Sequence, residues 1–129
     1  MFVVDSSVWI DFYASRWGRE TLLLKEAVGR VNRIRVCGPV VQEVLQGIRS
    51  EAVFQREWRN LLCFRYLEAT RWTFLRAASL YRFVRRKGVT INSFDTAIAA
   101  LCIENYLPLL TLNRRDFEPF ARHAGLKLA

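Results

Sequence analysis

The chain reads as an α/β domain with a central parallel sheet of four to five short strands and helices on both faces. Short apolar runs at residues 1–4, 34–37 and 109–112 alternate with longer segments of helical spacing, the pattern of strand–helix–strand units. The first of these runs is uninterrupted, as in a buried strand. The 129 residues contain no linker, repeat or low-complexity segment, so one domain, 1–129, with a single core is expected.

The elements follow in order. The strand at 1–4 is closed by Asp5, after which Ser6 or Ser7 can cap a short helix over 8–12. Residues 20–31 have helical spacing, with Leu23, Ala27 and Val31 on one face. A second strand at 34–37 ends at Gly38-Pro39, and Pro39 suits the first turn of a helix over 39–47. Ser50 caps the next helix, whose stripe is Val53, Phe54, Trp58, Leu61 and Leu62. A weak third strand falls at 66–67. Thr70 can cap a long helix to Lys87 with Phe74, Ala77, Ala78, Tyr81 and Val84 inward, ended by Gly88. Asn92 or Ser93 caps a helix over 94–106 with Ile98, Ala99, Leu101, Cys102 and Ile103 inward. Pro108 separates it from the strand at 109–112, and a short helix at 114–123 and a last strand at 126–128 complete the chain.

Composition narrows the function. The 20 basic residues outnumber the 12 acidic ones for a net charge of +8, and most of the basic residues are arginine, the side chain suited to planar contact with phosphate or carboxylate. A polyanion or an acidic protein segment is the matching partner, although positive charge also serves solubility alone. No apolar stretch is long enough to span a bilayer, and the apolar start carries no basic leader, so neither a membrane span nor a secretory signal is expected. Cys37, Cys63 and Cys102 are odd in number and widely spaced. They read as reduced core residues of a cytoplasmic protein.

Against this basic background, Asp5, Glu43, Asp95 and Asp116 stand near strand ends or in the first turns of helices. In open α/β sheets such positions converge beyond the carboxyl ends of the strands. Each acid also has an ordinary explanation: Asp5 and Asp116 as helix caps, Glu43 and Asp95 as favourable charges at helix starts. Together they would repel one another unless protons or a metal ion neutralised them, so at least one should have a raised pKa. Arg114 and Arg115 beside Asp116 could hold substrate phosphates or simply be exposed. Trp9, Phe12, Tyr13 and Trp17 crowd the first helix, either as core or in part as a patch for a partner chain.

The order of motifs Val-Val-Asp-Ser-Ser, the Glu after the second strand, Phe-Asp-Thr-Ala-Ile-Ala-Ala and Leu-Thr-Leu-Asn-Arg-Arg-Asp-Phe resembles the PIN-domain nucleases. The whole length fits that family, and a stand-alone chain of this size is similar to the VapC toxins of toxin–antitoxin pairs. The resemblance implies a PIN-like fold and an endoribonuclease in which Asp5, Glu43, Asp95 and Asp116 hold Mg²⁺ or Mn²⁺. It further implies pocket roles for Ser6, Thr111 and Asn113, an RNA substrate, products with 5′-phosphate and 3′-hydroxyl ends, a VapB-type antitoxin and a homodimer. Some members carry a further acid where this chain has Asn113, which leaves the number of metal ions open.

Rival chemistries fit less well. Oxygen-only ligands suit Mg²⁺. His123 is the only histidine, which excludes an acid–base mechanism needing two histidines from one chain. A phosphatase built on an Asp-x-Asp pair is excluded because residue 7 is Ser. The remaining alternative is a non-catalytic PIN-like RNA-binding or regulatory module, which would have no use for four mutually repelling acids.

Overall fold

The structure, a computed structural model, describes residues 1–129 with the exception of the Val31 side chain, so the inward position expected for Val31 lies outside the described residues. Four strands, β1 (Phe2–Val4), β2 (Ile34–Cys37), β3 (Arg65–Leu67) and β4 (Leu109–Leu110), form one parallel sheet in the order β3-β2-β1-β4. Seven helices flank it: α1 (Ser6–Tyr13), α2 (Arg19–Val28), α3 (Gly38–Gln46), α4 (Glu51–Leu61), α5 (Arg71–Arg85), α6 (Ser93–Glu104) and α7 (Arg114–Ala124). Successive residues of a strand face opposite sides of a sheet. Val3 and Val4 are both fully buried, so β1 is covered on both faces.

The order of the strands fixes where a site can form. The chain leaves β1 toward β2 on one side and returns to β4 on the other, so β1 borders the switch point at which α/β folds bind ligands. Asp5 is the first residue beyond β1, between the ends of β2 and β4. The core beneath is built from Val3, Val4, Ile34, Val36, Ile98, Leu101, Leu109, Leu110, Phe117 and Phe120.

Several expectations need correction. The strand expected at 126–128 is a single bridge, Leu109 with Leu128. The strand expected to reach residue 112 stops at Leu110, because the next backbone N–H groups turn to hydroxyls: Leu112 N bonds Ser7 Oγ and Asn113 N bonds Thr111 Oγ1. Leu62 is exposed, and the α4 stripe instead includes a buried acid, Glu57, which accepts from Arg56 Nε at 2.8 Å. Cys63 is exposed, whereas Cys37 and Cys102 are core residues as expected.

The expected inward face of α5 splits in two. Thr73, Ala77 and Val84 face the core, with Leu80 partly buried against it. Phe74, Ala78 and Tyr81 line a groove instead. Three caps agree with the sequence: Ser50 Oγ accepts from Val53 N, Thr70 Oγ1 from Trp72 N and Thr73 N, and Asn92 Oδ1 from Asp95 N. The cap expected from Ser6 or Ser7 does not form, because α1 begins at Ser6 and Asp5 takes the N-cap position. Among the described residues no helix is long and apolar enough to cross a membrane.

Candidate active site

Asp5 occupies the N-cap backbone position of α1, yet its side chain caps nothing. It is only 2% exposed, and its Oδ2 accepts two hydroxyl hydrogen bonds, from Ser7 Oγ at 2.7 Å and from Thr111 Oγ1 at 2.8 Å. That discriminates between the two readings of Asp5. A capping carboxylate would face the N–H groups of its own helix; this one faces the hydroxyls of Ser7 and Thr111. Ser7 also accepts from Leu112 N at 3.1 Å, and Thr111 from Asn113 N at 2.9 Å. The carboxylate is therefore held by both flanking segments, and the turn into α7 is held with it.

Asp95 sits in the first turn of α6, clasped by Asn92: its backbone N–H donates to Asn92 Oδ1 at 2.8 Å, and Asn92 Nδ2 donates to its Oδ2 at 3.0 Å. Burial, followed by the negative charges of Asp5 and Asp116, pushes the Asp95 carboxyl up to about 6, against a lowering by the Asn92 hydrogen bond. Glu43, half-buried on α3, is raised by burial first and then by Asp5 and Asp95. The four acids thus share one electrostatic neighbourhood, and the expectation of a raised pKa holds for two of them. The same field reaches the thiol of Cys37, pushed up to about 11 mainly by burial and further by Asp5 and Glu43.

Among the described residues, no three His, Cys, Asp or Glu side chains stand close enough to ligate one ion as they are placed. The donor chemistry nevertheless suits a hard divalent cation. All four candidates offer oxygen only. Glu43 Oε1 is buried without any hydrogen-bond partner, an arrangement that is unfavourable for a carboxylate oxygen unless a cation or a proton meets it. Asp5 has its Oδ2 engaged, while its Oδ1 receives no hydrogen bond among the described residues.

The other candidates fare unevenly. Thr111 touches Asp5 directly. Asn113 contributes its backbone N–H to Thr111, with an exposed side chain. Ser6 is buried beside Asp5, but the hydroxyl that holds Asp5 belongs to Ser7. Arg114 Nη1 donates to the Ala129 carbonyl at 2.9 Å, so it braces the end of the chain, while Arg115 is exposed. Ser7 and Asn92 were missed as site residues because a hydroxyl and a cap at helix starts read as ordinary local chemistry. The Asp5-Ser-Ser and Asn-Ser-Phe-Asp spacings were the signals available.

Comparison with known proteins gives the family and the fold. The family model of the PIN domain matches residues 2–126. Ribonuclease VapC11 of Mycobacterium tuberculosis (strain ATCC 25618 / H37Rv) is 27% identical over 134 residues, covering 100% of this chain and 98% of that protein. VapC ribonuclease Mb1587 of Mycobacterium bovis matches at the same 27% and the same coverage. Among solved structures, VapBC2 from Rickettsia felis bound to a promoter DNA fragment superposes with a TM-score of 0.78 at 16% identity, covering 99% of this chain and 96% of that one. A toxin–antitoxin complex from Klebsiella pneumoniae gives 0.71 at 21% identity, covering 91% and 90%. At those identities the structural likeness speaks to the fold.

Proposed function

The chain belongs to the PIN-domain family, and from that premise we propose that it is a Mg²⁺- or Mn²⁺-dependent endoribonuclease, the toxin of a toxin–antitoxin pair. The observation that carries the proposal is the buried Asp5 carboxylate at the switch point, held by Ser7 and Thr111 and sharing its field with Glu43 and Asp95. Asp5, Glu43, Asp95 and Asp116 would hold the cation. When bound, such an ion supplies positive charge against the phosphodiester and makes a water molecule more acidic.

The chain's own residues do the rest. Ser7 and Thr111 fix the rotamer of Asp5, so one carboxylate oxygen always presents the same face. Asn92 orients Asp95 in the same way. Glu43 brings an oxygen with no other hydrogen-bond partner, and the surrounding positive charge draws the polyanionic strand toward the acids. Hydrolysis would leave 5′-phosphate and 3′-hydroxyl ends.

Similarity to chains from VapBC and toxin–antitoxin complexes supports a VapB-type antitoxin as the protein partner. The exposed Ile10, Trp17 and Leu22 offer apolar area for it. Trp72, Leu75 and Phe83, one exposed stripe of α5, support a homodimer, and a cytoplasmic location accords with the free cysteines. The test is cleavage of single-stranded RNA by the purified protein with Mn²⁺ and with EDTA. Asp5→Asn should abolish cleavage with the fold intact; a folded Asp5→Asn protein that cuts as well as wild type would overturn the assignment. RNA binding without any divalent-dependent cleavage would favour the binding-only module.

A further inference from the structure

A concave groove of about 830 Å³ opens beside the acids, between α3, β3, α5 and α6. Its size falls within the roughly 300–1,000 Å³ typical of small-ligand sites. Four aromatic rings line it: Tyr66 from β3, Phe74 and Tyr81 from α5, and Phe94 from α6. Tyr66, Phe74 and Phe94 remain 43%, 56% and 40% exposed. The Tyr66 hydroxyl lies close against the start of α3, where a Cβ on Gly38 would meet it at 3.0 Å. This fixes the ring at one end of the groove.

None of the four acids lines the groove, but its walls adjoin two of them along the chain. Gln42, on its wall, precedes Glu43 on α3, and Phe94 and Thr96 flank Asp95 in the first turn of α6. Besides the hydroxyl-bearing Tyr66, Tyr81, Ser93 and Thr96, its polar side chains are Gln42, Glu68 and Arg82. Arg82 has no ion-pair partner among the described residues. The whole of α5, RWTFLRAASLYRFVR, contains arginines and no acid.

We infer that this groove seats unpaired nucleobases of the single-stranded RNA that flanks the cut phosphate. The inference rests on the ribonuclease reading above and adds the subsite that grips the substrate. Nucleobases present flat π faces, and aromatic side chains bind them by stacking whatever the sequence. Phe74 from α5 and Phe94 from α6 supply that stacking. Arg82 meets a backbone phosphate at the rim, while Gln42 and Glu68 read base edges, Glu68 favouring bases that present N–H donors. A protein segment would match Arg82 only by carrying an acid among its apolar side chains, whereas every nucleotide of a strand carries both a flat base and a phosphate.

The test compares two fluorescein-labelled RNA dodecamers in EDTA, one with all its bases and one with abasic riboses at alternate positions. Wild type should bind the intact strand about tenfold more tightly, one stacked base's share. Phe74→Ala and Phe94→Ala should each bring the two affinities close together, and Phe94→Trp should restore the difference. Arg82→Ala should weaken both strands alike and lower the salt slope by about 0.7. Thermal melts check that the variants fold.

Equal affinity of wild type for both strands would overturn the inference, as would a preference that survives both alanine variants. A change in sedimenting mass on Phe74→Ala or Phe94→Ala would also overturn it, by assigning the groove to a second copy. Failure of the ribonuclease reading is visible separately. If wild type cuts the intact dodecamer in Mg²⁺ and Asp5→Asn does not, a missing base preference removes the groove alone.

Discussion

Thr111 Oγ1 donates to Asp5 Oδ2 at 2.8 Å, a hydrogen bond that joins positions 106 residues apart. It crosses the carboxyl edge of the sheet between neighbouring strands, so the rotamer of the deepest acid depends on the last strand. Thr111→Val keeps the shape and removes the donor, leaving a buried carboxylate with one hydroxyl fewer. A loss of about 1–3 kcal/mol in unfolding free energy is expected, with Thr111→Ser recovering most of it. Urea denaturation of the two variants checks this; equal stability of Thr111→Val and wild type would show that the bond contributes nothing.

The pH dependence follows from Asp95. Its carboxyl titrates near 6 in the folded chain against an ordinary 3.8. Between those values the native state holds more protons than the unfolded state, so this group's contribution to stability grows as pH falls from about 6 toward 3.8 and is lost as pH rises through 6. Asp95 is half exposed, and after solvent screening the effect is about 1–2 kcal/mol. Asp95→Asn should therefore be more stable than wild type at pH 7, by a margin that closes near pH 4. A margin independent of pH would contradict the raised pKa.

Divalent cations should reverse that repulsion. An ion bound only by the native state adds about 2.7 kcal/mol at a hundredfold excess over its dissociation constant. Mg²⁺ or Mn²⁺ should raise the melting temperature of wild type, and neither should raise that of Asp5→Asn. Scanning calorimetry with and without EDTA measures it. An equal rise in both proteins would place the cation elsewhere.

Arg114 and Arg115 should separate. Arg115→Ala should reduce the salt slope of RNA binding by about 0.7, the value for one phosphate contact on a single strand. Arg114, occupied with the Ala129 carbonyl, should leave the slope unchanged when replaced by Ala. Anisotropy titrations over a range of KCl concentrations distinguish the two.

Tyr106 adopts φ 56 and is 93% exposed. It ends α6 in a Schellman arrangement: Leu107 N bonds Cys102 O at 2.9 Å and Tyr106 N bonds Ile103 O at 3.2 Å. The left-handed position is one that glycine adopts without strain. Tyr106→Gly should stabilise the protein by about 1 kcal/mol, read as a higher denaturation midpoint. A lower midpoint would mean that the ring makes contacts worth more than the strain.

The legible parts of the sequence were those with one physical reading. An apolar run closed by Asp5 leaves that residue at the edge of a sheet, and Asn92 three residues before Asp95 marks a helix start. These rules point to Asp5 and Asp95. Ser7 and Ser6 are adjacent and alike, and only the turn of α1 decides which hydroxyl reaches Asp5. The α5 spacing was equally ambiguous: Phe74 and Tyr81 fit an inward face as well as a groove, because helical periodicity marks a shared face without saying what covers it. The expected strand at 126–128 is reduced to a single bridge because β4 is only two residues long, and of these Leu109 alone exchanges backbone bonds with Lys127 and Ala129.

The position of β4 bears on the order in which the molecule folds. β1 lies inside the sheet, yet its second neighbour and one of the two hydroxyls that hold Asp5 come from a segment 106 residues further along the chain. Closing so long a loop carries an entropic cost that comes before the contacts it makes possible. Asp5 therefore gains its second hydroxyl only when β4 has docked, and the acid pocket is completed with the sheet.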